Sequence, residues 1–402
     1  MSRQPDTRTA LAVLALCAFV FGTAEFVIVG VLDLVARDLG TPIDSAGHLV
    51  MAYALGIAIG GPIATALTTR FERRFVLALS LLVFVAFNLI VIVSHHLGLL
   101  LFARFVPGAM HGLFVGAASV IAVGLVRPEQ RGQAVAMVFG GVAVATVLGA
   151  PLGTWVAQAM GWRTAFIAIV TLGTLAWVAT LCFVPRQSTR PGNRFGVQAR
   201  AAFAPRVLAL LGVAALLMGG QFSAFTFIAP YLKQVSGASD TTISAYLLAY
   251  GIASAVGMFV GGRFADRNAG LTLIVANVLL ILVLSVFYLF GSHPVVAVIA
   301  LGVWGLAGFS MVPAIQLRVV GLAGPGADLA ASLSASAVNA GIAAGSLVGG
   351  VALAHFGVEA PMEMAVVLCA LALPATWLTR RLSRPEDSAL DSRVQPAHTP
   401  LA

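Results

Sequence analysis

Apolar runs of about twenty residues recur along almost the whole of this 402-residue chain. A run of that length suits an α-helix crossing a bilayer, the one open structure that satisfies every backbone polar group inside its own segment. A membrane barrel would need short segments of alternating polarity instead, and the sequence has none. Composition agrees, since 60% of residues are hydrophobic and only 9% charged, against about 25% charged in a soluble domain. The chain therefore reads as an all-α integral membrane protein, with the lipid bilayer as its first partner.

Twelve spans are expected, at roughly 10–32, 47–69, 75–94, 98–126, 133–157, 163–184, 206–230, 243–263, 270–290, 294–321, 328–355 and 360–380. The first is too long for a signal-peptide core and reads as a permanent helix. The longest polar stretch, 185–205, carries Arg186, Arg190, Arg194 and Arg200 with Pro191 and Gly192, and reads as a linker between six-helix halves at 10–184 and 206–380. The tail, 381–402, is rich in Pro, Ser and Asp and reads as disordered. With both termini placed in the cytoplasm, nineteen basic residues fall on the inner side and three, Arg37, Arg163 and Lys233, on the outer side. That asymmetry is a strong positive-inside signal. It accounts for the net charge of +8 without nucleic acid. Cys17, Cys182 and Cys369 lie in separate spans with no ligand spacing, so neither a metal site nor a disulfide framework is expected.

The halves look like repeats. Gly56-x-x-x-Gly60-Gly61 in the second span is echoed 201 residues later by Gly257-x-x-x-Gly261-Gly262 in the eighth. Parallel six-helix repeats around a central cavity are a transporter architecture. Further small-residue ladders, Gly112/Gly116, Gly149/Gly153 and Gly341/Gly345/Gly349, read as close helix packing.

Polar groups inside the spans are few. Glu25 lies deep in the first, where a carboxylate costs roughly 2.5–3.5 kcal/mol on insertion scales and by default marks an ion or proton path. The alternative is a structural carboxylate bonded to a neighbouring helix. Arg104 and His111 in the fourth span are two turns apart on one face, about 10 Å along the axis, and Arg104 should lie at the depth of Glu25. Its charge would favour ionised Glu25 while burial favours the protonated form; snorkelling to the outer interface is the structural alternative. His111 is either a proton relay or a satisfied buried imidazole. Asp33 reads as a solvated carboxylate at a helix end. Gln221, Thr226, Gln316 and Asn339 are candidate substrate contacts or helix–helix glue, and Tyr53, Phe225, Phe227 and Trp304 are candidate walls of an aromatic cavity or packing groups.

The energy source is narrowed by what the sequence lacks. Lys233, the sole lysine, is followed by Gln234, so there is no Gly-Lys-Ser/Thr phosphate loop. What remains is a gradient: one charge crossing 100 mV is worth about 2.3 kcal/mol, and a tenfold accumulation needs about 1.4 kcal/mol. One carboxylate carrying one proton suffices. A membrane enzyme is disfavoured because His95-His96 make a poor ligand pair, and a sensor because no output domain is evident.

Several segments together resemble the major facilitator superfamily, in its twelve-span drug:proton antiporter group and the branch of bacterial chloramphenicol, arabinose and purine exporters. They are GTAEFVIVG (22–30), AYALGIAIGGP (52–62), RFVPGAMHG (104–112), LGAPLG (148–153), GGQFSAFTFIAPYL (219–232), GGRFADR (261–267), PAIQLR (313–318) and NAGIAAGSLVGG (339–350). The resemblance spans about residues 10–380 and implies two pseudo-symmetric six-helix bundles, a monomer in a bacterial inner membrane, no cofactor, and export of small, mostly uncharged molecules by alternating access. It implies proton coupling through Glu25, Arg104 and His111, substrate contacts from Glu25, Tyr53, His111, Gln221, Phe225, Thr226, Gln316 and Asn339, and gating by Arg73, Arg74, Asp266 and Arg267. A chloramphenicol-like drug leads as substrate, a sugar or purine follows, and Phe71-Glu72-Arg73-Arg74 lends the purine exporters some support. The chain also departs from the pattern. The loop after span two has no Asp, whether Thr65-Ala66 or Thr69 is aligned there, whereas Gly262, Asp266 and Arg267 keep the pattern after span eight. Asp33 stands where a proline is expected.

Overall fold

The computed structural model describes residues 7–68, 70–127, 130–186, 200–324, 327–380 and 382. Most of the linker (187–199), the tail apart from Leu382, and Thr69 lie outside the described residues. Among the described residues every regular element is helical. Helices α1 (Thr7–Leu39), α2 (Ile43–Thr68), α3 (Arg73–Val93), α4 (Leu97–Gly124) and α6 (Trp162–Phe183) belong to the first half. Between the last two, α5 runs as Arg131–Val144, a π-helical turn at Ala145–Gly149, and Ala150–Met160. The second half holds α7 (Pro205–Gln234), α10 (Pro294–Ala323) and α12 (Ala360–Thr379), with α11 at Ala327–Phe356.

Helices α8 (240–267) and α9 (269–290) follow one another without a loop, as a single helical stretch Asp240–Phe290. A straight 51-residue helix would be about 75 Å long, more than twice the ~30 Å hydrocarbon core. The stretch is broken at Asn268, whose backbone is extended (φ −160°, ψ 87°) and whose side chain accepts from the Leu271 amide at 2.9 Å. Asparagine is a good helix N-cap for this reason. The chain folds back there, so Tyr250 and Phe287, 37 residues apart, both pack on the ring of Trp304. With this stretch counted as two, the described residues hold the expected twelve crossings.

The two halves repeat their packing. Gly56, Gly60 and Gly61 of α2 lie against Phe105, Ala109 and Gly112 of α4, and Gly257 and Gly261 of α8 lie against Leu306 and Ser310 of α10. Likewise Gly141, Gly149 and Gly153 of α5 meet Ala15, Thr23 and Val27 of α1, while Gly341, Gly345 and Gly349 of α11 meet Ala215, Gly219 and Ser223 of α7. Helix two on four matches eight on ten, and five on one matches eleven on seven. Small residues permit this because lipid supplies no hydrophobic drive between helices, so close backbone approach must. Gly116, by contrast, faces open space.

Three irregularities lie beside the site. The π-helical turns, Gly56–Gly60 in α2 and Ala145–Gly149 in α5, widen their helices, as such turns often do beside functional sites. Helix α7 breaks after Phe225 and resumes at Ile228, because Pro230 cannot donate to a preceding carbonyl.

Replacing Gly345 by Leu, whose Cβ would run into the Gly219 backbone, should cost roughly 1–3 kcal/mol of overpacking strain and lower the thermal midpoint of the purified protein. Gly116→Ala should leave that midpoint unchanged.

Candidate functional site

The buried polar groups of the first half converge where α1, α2 and α4 cross. Arg104 is 1% exposed. Its guanidinium donates from Nη1 to the Ala24 carbonyl (2.7 Å), from Nη2 to the Glu25 carbonyl (3.3 Å) and from Nε to the Leu49 carbonyl (3.5 Å). It also lies over the Tyr53 ring at 4.3 Å from the centroid, a favourable cation–π placement. Snorkelling does not describe it; the side chain is enclosed and ties α4 to the backbones of α1 and α2. Arg104 and Glu25 do share a depth, but they meet through the Glu25 backbone.

The Glu25 carboxylate turns to His111 instead, with Oε2 3.4 Å from Nδ1. The Tyr53 hydroxyl donates to the Phe21 carbonyl (3.2 Å) and lies 3.3 Å from the same His111 Nδ1. With the hydroxyl hydrogen on Phe21, the Tyr53 oxygen is an acceptor, so a hydrogen on Nδ1 can be shared between Tyr53 and Glu25. Phe21 stacks on the imidazole (5.1 Å, 14°) and fixes the ring plane. Carboxylate and phenol thus converge on one imidazole nitrogen, an arrangement that can hold a proton.

Glu25 keeps 15% of its side chain accessible, and it opens onto a cavity. About 250 Å³ of empty space, part of it open to solvent, is lined there by Glu25, Phe26, Val29, Val50, Tyr53 and Ala54 of the first half and by Phe222 and Ile342 of the second. A second cavity of about 340 Å³ lies between Phe26, Val29, Thr146 and Ala150 on one side and Phe225, Leu247, Tyr250 and Phe309 on the other. Both lie between the halves.

The other expected contacts divide. Tyr53 lines the first cavity and Phe225 the second. Gln221 is buried but packs its Oε1 against Gly308, and the Thr226 hydroxyl donates to the Phe222 carbonyl of its own helix. Asn339 donates to the Ala335 carbonyl one turn back, and Gln316 is exposed; neither lines these cavities. Phe227 fills the space beside Gly47, and Trp304 is buried behind Phe225. Of the gating residues, Arg74 donates to the Leu181 carbonyl within its own half and Arg73 is half-buried. Asp266 and Arg267 are exposed and form no ion pair among the described residues.

A different polar link stands at the arginine-poor end of the bundle. Lys233 of α7 lies 3.6 Å from Asp33 of α1 and 2.7 Å from Asp240 of α8, and Arg37 closes on Asp33 at 3.0 Å. Asp33 is therefore part of a bridge between the halves rather than a solvated carboxylate. Its one sequence signal was that the sole lysine and this acid fall at the same end of the bundle. Among the described residues, this pair, Ser244 with Gln158 and Ser346 with the Gly47 carbonyl link the halves. All three lie toward the arginine-poor face. Phe26, Phe222, Thr146, Tyr250 and Phe309 were also missed, because an apolar or weakly polar residue in a span signals nothing about which way it faces.

The sequence profile of the Major Facilitator Superfamily matches residues 14–328. The chain belongs to this superfamily of transporters. Among its relatives, the MFS-type transporter YtbD of Bacillus subtilis is 38% identical over 85% of this chain and 88% of its own length. The chloramphenicol resistance protein of Streptomyces lividans is 32% identical over 90% and 93%. A solved structure of a bacterial homologue of the human lysosomal transporter Spinster, inward-facing and occupied, superimposes with a TM-score of 0.77 at 17% identity, covering 99% of this chain and all of that one. The fold is accordingly the all-α major facilitator fold, and the chain is a multi-pass membrane transporter.

Replacing Lys233 by Met should loosen the arginine-poor face. A partly exposed ion pair is worth about 0–1 kcal/mol, so the population open on that side should rise by no more than about fivefold. Alkylation rates of single cysteines introduced beside Asp44, in a background without Cys17, Cys182 and Cys369, report the change.

Proposed function

We propose that this transporter exports a small, mostly uncharged, chloramphenicol-like molecule in exchange for protons, by alternating access in a bacterial inner membrane. The observation that carries the reading is the Glu25–His111–Tyr53 cluster, held by Arg104 and opening onto a cavity between the halves. An intramembrane acid with partial access to a cavity can change protonation without crossing hydrocarbon itself. A substrate entering the cavity displaces water from Glu25 and contends for its hydrogen bonds, so substrate and proton occupy the site in turn.

The polar links between the halves gather at the arginine-poor face. With both termini cytoplasmic, as the distribution of arginines supports, this is the outer face. The conformation is then closed outward, ready for a substrate from inside. Its reversal breaks the Asp33–Lys233 pair and exposes Glu25 to the outside, where it reloads a proton. The chain acts as a monomer on this reading, since each half supplies walls to one shared cavity.

Glu25→Gln keeps the size and hydrogen-bonding of the side chain and removes its titration. In proteoliposomes with an imposed pH gradient, this variant should lose at least tenfold of gradient-driven chloramphenicol transport. Exchange of labelled chloramphenicol at equal pH should survive. Undiminished gradient-driven transport by the variant would refute the coupling role.

A further inference from the structure

The two cavities share a wall. Phe26 and Val29 line both, so the side chains of one turn of α1 divide a single interface into two compartments of different chemistry. The first holds Glu25 and Tyr53. The second is walled by Phe26, Phe225, Tyr250 and Phe309, with Thr146 as its one aliphatic hydroxyl. That hydroxyl donates to the Val142 carbonyl of its own helix, which leaves it only an acceptor to offer.

The two dividing residues differ in freedom. Val29 is buried and β-branched, so its side chain has essentially one rotamer in a helix. Phe26 is only partly buried. The aromatic groups opposite are braced: Phe225 stacks on Tyr250 at 4.5 Å, Tyr250 meets Phe309 at 6.2 Å, and Trp304 backs both Phe225 and Tyr250 at 5.9 Å. Among the described residues Phe26 has no ring contact of this kind. Of the walls between the compartments, the Phe26 ring is the one that can swing.

We propose that Phe26 is a specificity-determining partition, and that the transported molecule spans it, with a flat aromatic ring in the α5/α8/α10 compartment and a hydrogen-bonding end at Glu25. Rotation of Phe26 joins the two spaces into one that reaches from Glu25 to the aromatic wall. An aromatic ring has edge-to-face and stacked partners waiting on Phe225, Tyr250 and Phe309. A polyol does not fit this division, because most of its hydroxyls would face rings and find no partner. The inference deepens the proposed function and rests on the cavity between the halves being the transport site. It does not depend on proton coupling.

Binding to the full-length protein in detergent, measured by calorimetry at fixed pH, tests it with three probes: chloramphenicol and adenine, which carry a flat ring, and arabinose, which does not. The wild type should bind at least one ring compound and no arabinose. Phe26→Trp, a larger partition, should weaken ring binding at least tenfold. Phe309→Leu should weaken it at least fivefold, with Phe225→Leu as a second variant should the first unfold; thermal midpoints identify folded protein. Binding of arabinose by the wild type, binding of none of the three, or ring binding indifferent to Phe26→Trp and to loss of the opposite ring would overturn the proposal. The coupling role of Glu25 is judged separately, by gradient-driven transport.

Discussion

The guanidinium of Arg104 holds the first half in register. A positive charge inside a membrane protein is held by pairing with backbone carbonyls or other groups, and here three of its N–H groups donate to the backbone carbonyls of α1 and α2 while its plane lies over the face of Tyr53. Those contacts fix three helices relative to one another at a single depth. They set the Glu25 carboxylate beside His111, at the edge of the cavity. An acid paired directly with Arg104 would be locked in its charged form. Glu25 is hydrogen-bonded to the arginine through its backbone carbonyl while its carboxylate faces His111, the arrangement on which the proposed proton exchange rests.

Packing is distributed to match. Within each half, glycines bring α2 onto α4, α8 onto α10, α5 onto α1 and α11 onto α7 at backbone contact. Such interfaces deform little, because any added volume meets backbone. Between the halves, glycines again permit close approach, Gly251 of α8 to the Thr146 backbone of α5 and Gly47 of α2 to the Phe227 ring, but the polar links are few and sit toward one face, beside two cavities with aromatic walls. On the proposed mechanism the two halves rock about this seam. The Asp33–Lys233 bridge is part of that seam, weak enough for a substrate or a proton to offset.

Much of this was legible in the sequence, for a physical reason. Lipid demands continuous apolar helices, so the spans could be counted, and the joint between α8 and α9 at Asn268 falls between two expected spans. An acid, an arginine and a histidine stand out against 60% hydrophobic residues, so Glu25, Arg104 and His111 were visible, and shared depth predicted that the first two would be neighbours. Depth is readable from position within a span, but rotation about the helix axis is not. Asn339 and Gln316 thus lay outside these cavities despite suitable chemistry, while Phe26, Tyr250 and Phe309, which line the second cavity, looked like any lipid-facing residue. The Asp33–Lys233 bridge joins positions 200 residues apart, and no local pattern predicts such a pair.

The central claim is that substrate and proton contend for Glu25. The most direct measurement is a count of protons released when chloramphenicol saturates the purified protein in weakly buffered detergent solution, followed with a pH-indicating dye. The account predicts release of about one proton per chain at a pH where Glu25 is loaded, and none from a protein carrying glutamine at that position. Saturation of the wild type without any proton release would contradict it.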